Sequence, residues 1–123
     1  ITQVLPAQRI AIADGLVYIG SLDHNLYALD LKSGEKKWRY NTGGAVRSAA
    51  VSAAGKVFVG SESFKTFALD AKTGALAWQF DSGDKVLAIS VINNALVVQS
   101  RNRKMTALDL SNGKKQWEFE TDK

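Results

Sequence analysis

The sequence predicts an all-β fold of three four-stranded antiparallel repeats, and three observations predict it. The phrase YALDLKSGEKKW at 27–38 returns as FALDAKTGALAW at 67–78 and as TALDLSNGKKQW at 106–117. Ahead of each phrase stand two short β-rich runs joined by a tight turn. No stretch carries the apolar 3.6-residue period of an amphipathic helix. Self-similarity at about forty residues marks blades or stacked units, so the repeats are bounded at 1–40, 41–80 and 81–123.

Each repeat reads as the same four strands. The first runs fall at residues 9–13, 49–53 and 88–92. The turns Asp14-Gly15, Ala54-Gly55 and Asn93-Asn94 follow, pairs that tolerate the positive φ of a tight hairpin. The second runs are LVYIG at 16–20, KVFVG at 56–60 and ALVVQ at 95–99. A short polar loop leads to a third run ending in Ala-Leu-Asp. A glycine loop then opens the fourth run, which holds the tryptophan. Four short strands with tight connections make a meander, the blade of a β-propeller. The second and third phrases are one residue closer than the first and second, and the difference is placed in the connection between repeats, NTGGAV against DSGDKV, where length is cheap to change.

All three phrases fit A-x-D-x-x-x-G-x-x-x-W: Ala28, Asp30, Gly34 and Trp38; Ala68, Asp70, Gly74 and Trp78; Ala107, Asp109, Gly113 and Trp117. A methyl group and a bare glycine backbone leave a slot for a flat indole, and the aspartate can hold the turn through backbone N–H groups. These residues are therefore read as structural. The pattern resembles the tryptophan-docking motif of the pyrroloquinoline-quinone (PQQ)-type β-propeller repeats. The resemblance covers essentially the whole chain. It implies that each indole stacks between its own alanine and the glycine of an adjacent motif. It also implies that the three blades form part of a larger, seven- or eight-bladed ring. Outward faces of the first and third blades would then carry apolar residues such as Val17, Ile19, Val97 and Leu108, to be covered by remaining blades or by self-association.

Composition excludes much chemistry. The chain has 123 residues, 46% hydrophobic, no cysteine and one histidine, His24. Disulfides, thiolate metal sites and multi-histidine metal sites are thus excluded. No apolar run is long enough to span a membrane as a helix. A net charge of +4 is spread over all three repeats instead of forming a basic stripe, which argues against nucleic acid. The one dense run, Arg101-Asn102-Arg103-Lys104, reads as a solvated turn. Quinone-dependent dehydrogenases that share such repeats need PQQ, a calcium and a catalytic aspartate, and many carry a vicinal cysteine pair. This chain has no cysteine and no Asp-x-Asp-x-Asp loop. No catalytic, cofactor or metal residue is assigned, and the chain is read as a non-enzyme.

What remains is binding. Loops joining second to third strands share one face with the connections between blades. They place His24, Phe64, Lys65, Arg101, Arg103 and Lys104 there as candidate partner-binding residues. Phe64 is either tucked between blades or offered to a partner, and the tucked arrangement is the expected one. Aromatic and arginine side chains on such a face suit a protein partner. The function expected is a non-enzymatic protein-interaction scaffold. Resemblance implies kinship with the propeller lipoproteins of outer-membrane β-barrel assembly or with sensor domains, and an extracytoplasmic, periplasmic or envelope location. The alternative is a partial quinoprotein or other ligand-binding propeller whose site lies in other blades.

Overall fold

The computed structural model describes residues 10–47 and 49–121. The segment ITQVLPAQ and the start of the first run at Arg9 lie outside the described residues. Twelve strands form three separate four-stranded antiparallel sheets in simple sequence order. Blade 1 holds β1 (Ile10–Ala13), β2 (Leu16–Gly20), β3 (Asn25–Asp30) and β4 (Lys36–Asn41). Blade 2 holds β5 (Val51–Ala53), β6 (Lys56–Gly60), β7 (Lys65–Asp70) and β8 (Leu76–Asp81). Blade 3 holds β9 (Val86–Ile92), β10 (Ala95–Ser100), β11 (Lys104–Asp109) and β12 (Lys115–Glu120). There is no helix among the described residues.

The first strands β1, β5 and β9 pack on one another, so the blades radiate from them and the tryptophan strands lie outermost. Both central residues of the Asp14-Gly15 and Ala54-Gly55 turns have positive φ, the geometry whose twist matches paired strands. The residue missing from the third repeat is not in the DSGDKV segment, which is as long as NTGGAV. It is lost just after Val86: β9 runs on from Val86, whereas residues 47, 49 and 50 are irregular before β5 begins at Val51.

The core lies between sheets. One cluster joins Tyr18 and Ala28 of blade 1 to Val57, Val59, Phe67 and Leu69 of blade 2. The other joins Phe58, Ala68 and Trp78 to Leu96, Val98, Leu108 and Leu110 of blade 3. The strand period of two sends alternate residues of β6 and β7 to opposite neighbours, and only the middle blade is covered on both faces. That alternation corrects one expectation. Leu108 is fully buried against blade 2, because it points opposite to its neighbour Ala107. Val17, Ile19 and Val97 are half-buried.

The repeated phrase builds the junctions. Each motif alanine is paired across strands with its tryptophan, as Ala28 with Trp38, Ala68 with Trp78 and Ala107 with Trp117. The Trp38 indole lies on Gly74 so closely that a Cβ there would fall 2.6 Å from the ring, and one on Gly113 would fall 2.5 Å from the Trp78 ring. Trp38 Nε1 donates to the Ala71 carbonyl at 3.1 Å, and Trp78 Nε1 to the Leu110 carbonyl at 2.9 Å. Trp38 and Trp78 therefore each pack onto the blade that follows. The motif aspartates hold their own turns. Asp30 accepts from the Lys32 and Ser33 N–H groups, Asp70 from Lys72 and Thr73, and Asp109 from Ser111. Those hydrogen bonds draw all three carboxyls below the ordinary value: backbone N–H donors lead at Asp30 and Asp70, the Ser111 hydroxyl at Asp109.

Candidate protein-interaction face

Three hairpin loops, one per blade, come together with the connections between blades on one face. Their backbones are laced to those connections. Thr42 N–H donates to the His24 carbonyl at 2.7 Å, Ser82 N–H to that of Phe64 at 2.7 Å, and Thr121 N–H to that of Arg103 at 2.8 Å. Val46 N–H donates to Ser21 O, and Arg101 N–H to Lys85 O. Beneath the first of these connections Thr42 Oγ1 donates to the Gly44 carbonyl at 2.7 Å and lies 3.0 Å from Ser61 Oγ, a buried polar knot.

The candidate residues occupy defined places on this face. His24, Phe64 and Arg103 hold the same position, the last residue of the hairpin loop, and all three have positive φ, at 81°, 78° and 68°. L side chains adopt this left-handed region at a cost, and glycine is its ordinary tenant. All three side chains are exposed. Phe64 is 41% exposed, so the expectation that it tucks between blades is corrected: the left-handed backbone turns its side chain outward. Lys65 and Lys104 begin the next strands and are half-buried; Arg101 is exposed.

Charge on the face is paired. Glu62 receives Arg47 and, at 3.8 Å, Lys85; Arg101 meets Asp84 at 3.3 Å. Arg103 meets Glu120 at 3.6 Å and Lys104 meets Glu118 at 3.4 Å. The basic run at 101–104 is thus matched by acids from a neighbouring connection and strand. The first hairpin carries a compact polar cluster around Asp23. The Tyr27 hydroxyl donates to Asp23 Oδ2 at 2.5 Å and the Asn25 N–H to Oδ1 at 3.1 Å. The tyrosine hydroxyl, first among these donors, holds the Asp23 carboxyl down to about 2.

Sequence reasoning missed the left-handed backbone under the candidate residues. Phenylalanine and arginine do not announce positive φ as glycine or asparagine would. The signal available was their identical offset from the Ala-Leu-Asp of each repeat. Among the described residues no group of three His, Cys, Asp or Glu side chains is placed to hold a metal ion, and no helix is long and apolar enough to cross a membrane.

A family model described as outer membrane protein assembly factor BamB matches residues 41–123, two thirds of the sequence. The chain belongs to the BamB family. Its PQQ-like repeats also match solved structures. The BamB structure from Moraxella catarrhalis superposes with a TM-score of 0.81 at 24% identity, covering 90% of this chain and 35% of that one. The quinohemoprotein alcohol dehydrogenase ADHIIG from Pseudomonas putida HK5 gives 0.81 at 28% identity, covering 89% of this chain and 20% of that one. The computationally designed Ika4 protein gives 0.82 at 14% identity, covering 94% and 72%. This chain thus spans about a third of the BamB structure and a fifth of the dehydrogenase. No curated protein matches it.

Proposed function

We propose that this chain is a non-enzymatic scaffold for protein–protein contact in outer-membrane protein assembly, working outside the cytoplasm. Its docking surface is the loop face carrying His24, Phe64, Arg101 and Arg103, flanked by Lys65 and Lys104. One observation carries this reading: bulky, exposed side chains stand at three equivalent positions whose backbone favours glycine. Strain of that kind is retained where the side chain is needed by something other than the fold. Membership of the BamB family and the likeness to the Moraxella structure support the assembly setting and the extracytoplasmic location.

The likeness to the alcohol dehydrogenase supports a second reading, part of a quinoprotein propeller. Fold alone does not transfer that activity. Among the described residues the innermost strands read IAIA, VSA and VLAISVI and offer no ionisable side chain to a quinone's carboxylates or to a calcium ion. The residues present do not fit PQQ, and no chemistry is derived through it.

The test replaces His24, Phe64 and Arg103 together by glycine. Binding to the purified outer-membrane β-barrel assembly machinery, followed by biolayer interferometry, is expected to be lost while the melting midpoint holds or rises. Undiminished binding would refute the assignment of this face. A PQQ absorbance shift on titration with calcium present would favour the quinoprotein reading.

A further inference from the structure

The three motif turns share one device, and the third copy is built from different chemistry. In each turn the residue before the motif glycine offers a side-chain oxygen to the N–H just after it. Ser33 Oγ accepts from Glu35 at 3.2 Å, Thr73 Oγ1 from Ala75 at 3.2 Å, and Asn112 Oδ1 from Lys114 at 2.8 Å. A hydroxyl in that place is no electrophile, but the carboxamide carbon of asparagine is one. Asn112 is exposed and is followed by Gly113, whereas the other five asparagines precede Leu26, Thr42, Asn94, Ala95 and Arg103. Glycine has no side chain to hinder its own nitrogen from reaching the preceding one. The Lys114 N–H also sits on the oxygen where negative charge gathers when that carbon is attacked.

We propose that Asn112 is a site of deamidation, gated by the opening of its turn, and that the isoaspartate product unseats Trp78 from blade 3. The Gly113 nitrogen gives up its proton and attacks Asn112 Cγ. The new N–C bond closes a succinimide ring, the Cγ–Nδ2 bond breaks, and ammonia leaves with the proton. Water then opens either ring carbonyl, giving aspartate or isoaspartate. The gate is the hydrogen bond from Gly113 N–H to the Asp109 carbonyl at 2.8 Å, which occupies the attacking nitrogen while the turn is closed.

The consequence follows from what rests on that glycine. A Cβ on Gly113 would fall 2.5 Å from the Trp78 ring, and Trp78 Nε1 donates to the Leu110 carbonyl of the same turn at 2.9 Å. Isoaspartate routes the backbone through Cγ and adds a methylene just before Gly113, under a ring with no space to give. Either product also adds a carboxylate to a turn that already holds Asp109, and lowers the net charge of +4 by one. The turns of Ser33 and Thr73 carry no amide, so the weak point is confined to the junction of blades 2 and 3. It lies at the opposite end of the sheet from the hairpin loops, and the inference does not depend on the binding face.

The test incubates the 123-residue chain in mildly alkaline heavy-oxygen water and maps its peptides. Heavy oxygen is expected in the peptide holding Asn112 several-fold faster than at the other asparagines, with isoaspartate recognised by its resistance to an aspartate-specific protease. Asn112→Ser supplies the residue that the first repeat uses, so it is expected to fold and to take up no label there. Guanidinium chloride is expected to raise the wild-type rate by freeing the Gly113 N–H. The isoaspartate fraction, separated by ion exchange, is expected to melt below the unmodified chain and to lose the protection of Trp78 from hydroxyl radicals. No excess label at Asn112, a rate that denaturant leaves unchanged, or an isoaspartate fraction with Trp78 as protected as before would each overturn the proposal.

Discussion

Trp78 and Trp117 end the same phrase on the same strand of adjacent blades, yet Trp78 is 8% exposed and Trp117 49%. Their own blades treat them alike, since each faces its motif alanine across the strand pair. The difference lies in the neighbour. Trp78 has Gly113 and the Leu110 carbonyl to receive it, and within these three blades Trp117 has neither. The phrase therefore encodes half of an interface, and its worth is set by whatever follows it.

The sharpest way to break this comparison is to truncate both indoles. Trp78→Ala is expected to cost about 3–5 kcal/mol, as for a buried aromatic. Trp117→Ala is expected to stay within about 0.5 kcal/mol of wild type, as for a surface site. Denaturant midpoints decide it.

The glycines give the same contrast from the receiving side. Gly113 and Gly34 share a φ of +76° and +75°, so alanine costs about 1–2 kcal/mol of backbone strain at either. At Gly113 the new methyl would also strike the Trp78 ring, and it meets nothing at Gly34. Gly113→Ala should lower stability more than Gly34→Ala, by a margin read from urea unfolding. Equal losses would mean that the indole does not need the bare backbone.

The aspartates should behave in the opposite way. Asp30, Asp70 and Asp109 all close their own turns, whether or not an indole docks beside them. Replacing any of them by alanine should lower the melting midpoint by a similar, small amount. Their pKa values are depressed on folding, and so is that of Asp23, from 3.8 to about 2. A depressed carboxyl stabilises the fold above its unfolded value, and that stability is lost as pH falls through the folded value. The melting midpoint should therefore drop between pH 4 and pH 2, with a shallower drop in Asp23→Asn.

A small effect is also expected at Tyr18, whose hydroxyl donates to the Ala71 carbonyl at 3.2 Å. Trp38 already satisfies that carbonyl, and blade 2 has Phe58 in the same place. Tyr18→Phe should cost no more than about 1 kcal/mol.

The repeat made the blades legible in the sequence. Period-2 runs, turn pairs and the tryptophan phrase are local signals, and each strand falls within a few residues of its expected place. Leu108 was misjudged because its burial depends on which of two sheet faces meets blade 2, and alternation must be anchored to a known contact before it says which. The place of the missing residue was misjudged because Arg47 to Ala50 look no different from a strand until β9 is seen to run through the corresponding stretch. The interaction face was half legible. Its residues could be gathered from loop positions, but the outward turn of Phe64 is a backbone property that its own identity conceals.

The comparison of indoles is tested most directly by hydroxyl-radical footprinting of the dilute wild-type chain, with oxidation at each tryptophan read by peptide mass. Trp117 should oxidise several-fold faster than Trp78, with Trp38 between them. Equal rates at the three indoles, or a protected Trp117 at low concentration, would contradict the account that each tryptophan is buried by the blade that follows it.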